Sequence, residues 1–296
     1  MIQHRLTAEE LLAYGRYLRQ EGRSGGTVDK YLRDGRAFLA WLEGKTVTQE
    51  SVVGWREHLL TRGYAPVTIN SMLAALNGLF RFLDWTDCRG KFLKVQRRLF
   101  REPERELTRQ EYERLVRSAR GQGKERLALL LETICATGIR VSEVRFLTVE
   151  AARAGRAEIS LKGKIRTILI PGKLARRLLR YAGQQKTASG EIFLTRGGRS
   201  LSRKQIWADM KALCRGAGVA ATKVFPHNLR HLFARCFYRV SRDLVQLADV
   251  LGHSCVETTR IYLISTGAEH AALWSGWGWS ARQNRDFVRL NASECT

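Results

Sequence analysis

The chain has 296 residues and carries 51 Lys and Arg against 28 Asp and Glu, a formal net charge of +23 that favours a polyanionic partner, with nucleic acid first. An anionic membrane surface is the alternative, but there is no run of about 18 apolar residues and no secretory signal segment, so we expect a soluble, intracellular protein with no membrane partner. Its six cysteines are scattered without a C-x-x-C pair, which argues against a disulfide framework and a zinc site.

Residues 1–85 predict four helices and no strand. Thr7 and Glu10 form a capping box for the first helix, whose expected buried side is Leu11, Leu12, Tyr14 and Leu18. A second helix runs from about Thr27 to Leu42, and Thr48 caps a third. The fourth has apolar residues at helical spacing, namely Ile69, Met72, Leu73, Leu76, Leu79, Phe80 and Leu83. The pattern predicts a small helical bundle.

The periodicity lapses in residues 86–106, a stretch dense in Arg and Lys that ends with Pro103 and the charged residues after it. We interpret it as a basic interdomain linker lying against phosphates, and a surface loop without such contacts is the alternative. Thr108 and Glu111 form a second capping box, which opens a second domain over residues 107–265.

The second domain is predicted to be helical with one small hairpin. The apolar run from Leu127 to Ala136 indicates a buried helix that Gly138 ends. Two strand-forming runs, Ala157–Leu161 and Arg166–Ile170, flank a basic turn of Lys162, Gly163 and Lys164. A further short strand is predicted at Glu191–Leu194. Four further helices are predicted at Leu174–Ala182, Ser202 to about Leu213, Asp243–Val250 and Glu257–Leu263.

The residues from Phe225 to Tyr262 hold most of the reactive side chains. His227 and Arg230 are three apart and share a helix face, while His253 and Tyr262 follow. A phenol can act as a nucleophile, a guanidinium can neutralise a phosphate, and imidazoles can move protons near neutral pH. This set suits phosphoryl transfer better than it suits a core.

At these residues the chain resembles the tyrosine recombinases, also called phage-type integrases. PHNLRH matches the family's H-x-L-R-H box, LGH matches its L-G-H box, and Tyr262 lies at the expected distance beyond them. ATGIRVSEV, which contains Arg140, matches the upstream A-T-G-h-R-h-S-E box, where h is apolar. The resemblance covers nearly the whole chain except the tail after about Thr266.

The resemblance implies a mainly α fold in which an N-terminal helical core-binding, SAM-like domain and an α+β catalytic domain form a C-shaped clamp on DNA. The candidate DNA-binding residues are Lys30, Arg33, Arg36, Arg62, Lys164, Arg203, Lys204 and Lys211. For any one of the first four, a solvated basic face is the equal alternative. The tail, residues 266–296 with Trp274, Trp277 and Trp279, is either exchanged with a neighbouring subunit or packed on its own domain.

The resemblance also implies a role for each site residue. Arg140 and Arg230 hold the non-bridging phosphate oxygens, and Tyr262 attacks to leave a 3′-phosphotyrosine and a free 5′-hydroxyl. Lys162 protonates the 5′-oxygen, with Lys164 as the rival. His227 assists proton transfer at Tyr262, and His253 donates a hydrogen bond to the phosphate. Glu143 orients Arg140, and His231 is a structural residue. No metal, ATP or other cofactor is expected.

Three other functions share some of these features. A hydrolytic nuclease would normally offer a carboxylate cluster for metal ions, which the motifs lack. A type IB topoisomerase shares the chemistry without pairing sites, and an architectural DNA-binding protein shares the fold without activity. The expected partners are double-stranded DNA recombination sites, further copies of the chain in a homotetramer on DNA, and an accessory directionality factor. The free protein is expected to be mainly monomeric, cytoplasmic and associated with the nucleoid.

Overall fold

The computed structural model describes residues 4–95, 103–161, 164–253, 255–260 and 262. The chain divides into two compact units, Met1–Arg97 and Arg98–Thr296. The described residues form twelve α-helices, short 3₁₀ helices and one two-stranded sheet, so the predicted mainly α fold with a small hairpin is confirmed. Among the helices described, none combines the length and apolar character needed to cross a membrane.

The first unit is a bundle of four helices. The capping box is present, because the Thr7 backbone N–H donates to a Glu10 carboxylate oxygen at 2.8 Å. The predicted burial of Leu12 is wrong: it is 53% exposed, and Gly15 instead completes the buried stripe with Leu11, Tyr14 and Leu18. The helices are α1 Ala8–Gln20, α2 Gly25–Leu42, α3 Gln49–Thr61 and α4 Pro66–Phe82.

The segment after α4, where the predicted linker begins, is held on this bundle. Cys88 is fully buried in the core of the first unit. The Asn77 amide exchanges two hydrogen bonds with the Gly90 backbone at 2.9 and 3.0 Å. The Asn70 amide does the same with Leu93 at 2.8 and 2.9 Å. These paired bonds fix the chain along α4 through Leu93.

The second unit places one hairpin among eight helices in the described part of the chain. Strands β1 (Arg156–Leu161) and β2 (Lys164–Leu169) pair antiparallel, with Leu161 opposite Lys164. Residues 162 and 163 therefore connect them, and Lys164 begins β2 instead of lying in the turn as predicted. The helices are α5 Arg109–Gly121, α6 Glu125–Thr137, α7 Val149–Ala154, α8 Gly172–Gln184, α9 Arg203–Ala217, α10 Pro226–Ser241, α11 Leu244–Leu251 and α12 Val256–Arg260.

Two predicted elements differ from the structure. Residues 191–194 do not form a strand, because Glu191 and Leu194 make only isolated bridges, to Thr148 and Ser200. The last of the described helices, α12, ends at Arg260, so Tyr262 lies just beyond it in a turn that its backbone N–H closes on Thr259 O at 2.9 Å. The tyrosine is thus carried by a turn and not by a helix as predicted.

Glycine 138 lets α6 and α10 approach each other. Gly138 ends α6 with a φ of 62°, a left-handed conformation that favours glycine. A Cβ at this position would lie about 2.5 Å from Phe233 Cδ1 on α10. The missing side chain therefore allows α10 to pack where the chain leaves α6 toward Arg140.

Candidate active site

Arg230 lies at the centre of the site. Its side chain is 1% exposed on α10, and Nη1 donates to the Gly138 carbonyl, while Nη2 donates to the Leu251 carbonyl at 2.7 Å. The same Nη2 is 3.0 Å from His253 Nε2. Burial lowers the pKa of Arg230, and a hydrogen bond with the Tyr262 phenol opposes the shift. Arg230 thus joins the ends of α6 and α11.

Arg140 and Glu143 form a second, adjoining pair. Arg140 Nη1 donates to Glu143 Oε1 at 3.0 Å, and the Arg140 backbone N–H donates to Oε2 at 2.9 Å. The Glu143 side chain is 5% exposed, whereas that of Arg140 is 38% exposed. The carboxylate therefore orients a guanidinium that still reaches solvent, and this is the contact that the predicted role of Glu143 requires.

His253 follows Gly252 and is held from both ring nitrogens. Because a guanidinium has no acceptor, Nε2 must accept from Arg230, and Nδ1 then donates to Thr259 Oγ1 at 2.8 Å. Burial, followed by the charges of Arg230, Arg140 and Arg166, lowers the pKa of His253 from 6.5 to about 4. The imidazole is therefore neutral near pH 7.

Tyr262 is 3% exposed and packs among three imidazoles. Its ring centroid lies 4.3 Å from that of His231, 5.5 Å from that of His253 and 5.8 Å from that of His227. His231, predicted to be structural, is thus nearer to the phenol ring than His227. The structure brings together His227, Arg230, His231, His253 and Tyr262.

Arg166 belongs to the same cluster, although the motifs did not identify it. Its side chain is 9% exposed; Nη1 donates to the Leu251 carbonyl and Nη2 lies 3.6 Å from Glu143 Oε2. Gly252 has a φ of 62°, and a Cβ there would collide with Arg166 Cδ. Alternation along β2 could have indicated this residue, because Arg166 shares a strand face with buried Ile168.

A basic cavity of about 890 Å³ adjoins these residues. Trp207 on α9 is half exposed there, and Lys211 approaches its ring at 5.1 Å from the centroid. The cavity is a place where a phosphate backbone can meet the site arginines. Its lining includes Arg140, Arg203, Lys204, Trp207, His227 and Arg230.

The other predicted contact residues differ in how available their charges are. Lys30 donates to Asp34 at 2.6 Å and to the Ser71 carbonyl at 3.0 Å, so much of its donor capacity is used within the bundle. Arg36 and Arg62 are exposed, whereas Arg33 is exposed but also pairs with Asp34 at 3.2 Å. Lys162 and the tail 266–296 lie outside the described residues, and the placement of Lys164 is described for its backbone alone.

The pKa of His253 predicts a specific acid sensitivity. Because the pKa is about 4 in the folded chain and 6.5 is the ordinary value, the unfolded chain binds the extra proton first as pH falls. The contribution of His253 to the free energy of unfolding should therefore be constant above pH 6.5 and should decrease as the pH falls from 6.5 to 4. Thermal unfolding of wild type and His253→Asn should show a stability difference that shrinks over this range, and a constant difference would contradict the assignment.

Comparison with known proteins identifies the family. The family model described as the phage integrase family matches residues 105–269, and the phage integrase N-terminal SAM-like domain matches residues 11–87. Tyrosine recombinase XerA of Thermococcus kodakarensis is 32% identical, covering 83% of this chain and 87% of that protein. Tyrosine recombinase XerC of Roseiflexus castenholzii is 31% identical, covering 86% of this chain and 88% of that protein.

Solved structures show the same fold. A lambda integrase tetramer bound to a Holliday junction superposes with a TM-score of 0.70 at 18% identity, over 87% of this chain and 77% of that one. XerH bound to its difH substrate gives a TM-score of 0.62 at 19% identity, covering 92% of this chain and 99% of that one. With its fold and its sequence matched over most of their length, the chain belongs to the phage integrase family and is a site-specific tyrosine recombinase.

Proposed function

We propose that this chain cuts and rejoins double-stranded DNA at recombination sites through a covalent 3′-phosphotyrosine at Tyr262. The observation that supports this most directly is the buried phenol beside Arg230, surrounded by three imidazoles. Arg230 also lines the basic cavity, so a phosphate that enters would meet the nucleophile and a fixed positive charge together.

The two arginines would neutralise the phosphate in the transition state. Charge on the non-bridging oxygens grows as the phenol oxygen bonds to phosphorus, and donors already held in place stabilise it without reorganisation. Arg230 is fixed by two carbonyls, and Arg140 is fixed by Glu143. For neutral His253 to donate a hydrogen bond to the phosphate, its proton would move from Nδ1 to Nε2, with Thr259 Oγ1 then donating to Nδ1 and Arg230 turning its donor from the imidazole to the phosphate.

Proton transfer completes a balanced exchange of one phosphodiester for another. The phenol proton passes to an imidazole, with His227 as the proposed acceptor, while the bond from phosphorus to the 5′-oxygen breaks. Lys162, with Lys164 as the rival, gives its proton to that oxygen. Attack by a 5′-hydroxyl on the phosphotyrosine reverses these steps, so the bond energy is conserved and ATP is not consumed.

A cleavage map tests the proposal. Labelled fragments that tile the flanks of the gene should include one that gives a protein–DNA adduct stable to denaturing electrophoresis and shifted by protease. The cleaved position would also separate insertion or excision of a mobile element from resolution of chromosome dimers. If no fragment is cleaved while the flanks are bound specifically, a silent architectural role is favoured instead.

We further propose that four chains assemble on two DNA duplexes, since each duplex needs two cuts. The net charge of +23 opposes self-association until phosphates neutralise it. Sedimentation should show a monomer alone and a tetramer with two-site DNA, and deletion from Gly267 should impair pairing of sites but not single-site binding. A deleted chain that recombines at the full rate would contradict this role for the tail. An accessory directionality factor would act on this assembly.

Activity should survive removal of divalent metal ions. Glu143, the carboxylate of the site, is already paired with Arg140 and Arg166. In the described part of the chain the one group with metal-ligand spacing is His4, Asp87 and Cys88 in the first unit, where burial raises the pKa of Cys88 to about 11 and disfavours the thiolate. Cleavage should be equal with EDTA and with Mg²⁺. Loss in EDTA that only a divalent ion restores would refute the metal-free mechanism.

A further inference from the structure

We propose that Arg166 is a positioning residue that holds strand β2 against the catalytic segment 251–253 and thereby supports protonation of the leaving 5′-oxygen by a lysine of the hairpin. The inference rests on the proposed function and deepens it. It assigns a cause for the placement of the general acid, which the motif residues themselves do not supply.

The contacts of Arg166 cross from the hairpin to two other parts of the site. Nη1 donates to the carbonyl of Leu251, two residues before His253, and Nη2 lies 3.6 Å from Glu143 Oε2. Gly252 leaves room for the Arg166 stem beside the backbone. One side chain of β2 thus reaches both the LGH segment and the carboxylate that orients Arg140.

The hairpin is held from one face. Ile165 and Leu169, which flank Arg166 on the opposite strand face, are 80% and 71% exposed. Ile168 is buried on the same face as Arg166 but lies farther from the connection at residues 162 and 163. Ile159, which pairs with Arg166 across the hairpin, is buried as well, so Arg166 is the polar contact of the described inner face at this register, and its loss should loosen that end of the hairpin.

Removal of Arg166 should leave the phosphate-binding groups in place. The Leu251 carbonyl also accepts from Arg230 at 2.7 Å, and Glu143 also pairs with Arg140 at 3.0 Å. Neither acceptor would become unpaired, so the two catalytic arginines keep their anchors. The expected defect is consequently selective: protonation of the leaving oxygen suffers, and charge neutralisation at the phosphate does not.

A substrate with sulfur in place of the bridging 5′-oxygen isolates that step. When the phosphorus–sulfur bond breaks, the electron pair leaves on a thiolate, which is stable without a proton because thiols have a pKa of roughly 8.5. Such a substrate needs the nucleophile and the arginines but no general acid. Single-turnover cleavage of the oxygen and sulfur substrates should therefore be compared for Arg166→Met and Arg166→Lys.

On the oxygen substrate Arg166→Met should cleave about 10- to 100-fold more slowly, as expected when a supporting contact is lost, and on the sulfur substrate it should approach wild type. Arg166→Lys should fall between, since an ammonium cannot span both partners. Misfolding would also lower both rates, so thermal unfolding and single-site DNA binding of each variant should first be shown to match wild type. In a folded variant, equal losses on both substrates would overturn the proposal and indicate that Arg166 contacts the phosphate itself.

Two controls separate the inference from the function on which it rests. Arg156 lies on the same hairpin with a side chain 63% exposed, so Arg156→Met should leave the oxygen-to-sulfur ratio at the wild-type value. Tyr262→Phe should form no adduct with either substrate. If it does form one, the nucleophile assignment fails, whatever ratio Arg166→Met gives.

Discussion

Replacing Tyr262 with phenylalanine should abolish the covalent protein–DNA adduct while leaving DNA affinity nearly unchanged. Phenylalanine keeps the ring that packs against His231, His253 and His227, so the cluster should persist. What is lost is the oxygen that attacks phosphorus. Enzymes that lose their nucleophile slow by on the order of 10⁶-fold, so trapping on a nicked suicide substrate should fall below detection.

Tyr238 provides the matched control for this substitution. It packs against the same small apolar cluster as Tyr262 but is placed on α10 rather than beyond α12. Tyr238→Phe should form the adduct at the wild-type rate. An adduct that persists in Tyr262→Phe, or that disappears in Tyr238→Phe instead, would show that the wrong phenol has been assigned.

Replacing Arg230 should reduce cleavage far more than binding. Arg230→Ala removes a fixed transition-state donor, for which a loss of roughly 10²–10³-fold is typical. It also leaves the Gly138 carbonyl without its buried donor, which destabilises the fold by about 1–3 kcal/mol. Arg230→Lys retains a charge but not the planar fork that reaches Gly138, Leu251 and His253 together, so it should be nearly as slow.

Arg203 supplies the contrasting pattern. It is exposed at the edge of the same cavity and would contact only the DNA backbone. Arg203→Ala should weaken DNA binding and reduce the slope of log affinity against log salt by about one phosphate contact. At saturating DNA concentration it should change the cleavage rate less than Arg230→Lys does. If Arg230→Lys loses affinity in proportion to its rate, Arg230 acts in ground-state binding and not in the transition state.

The sequence predicted the parts of this fold that depend on local interactions. A capping box acts over three residues, and Thr108 and Glu111 make it as predicted, with a hydrogen bond of 2.8 Å. The motif residues of α10 share a face because helical spacing dictates it. The predicted end of the helix that carries Tyr262 was wrong. Tyr262 is held by Thr259 and by packing among imidazoles, and such contacts leave no helical pattern in the sequence.

The contacts that assemble the site depend on distant parts of the chain. Arg230 meets the carbonyl of Gly138 across 92 positions, and Arg166 meets that of Leu251 across 85. Backbone carbonyls have no sequence signature, so nothing in the motifs indicates that these arginines share them. Arg166 was missed for this reason, although its place on the buried face of β2 is a detectable signal.

The most direct test of the central claim is to identify the residue and the DNA end joined in the trapped adduct. The adduct from a suicide substrate would be digested with nuclease and trypsin, and the modified peptide sequenced by mass spectrometry. The expected product is a nucleotide attached through its 3′-phosphate to Tyr262, with a free 5′-hydroxyl on the other DNA fragment. A nucleotide on another residue, or a 5′-phosphate on the released fragment, would contradict it.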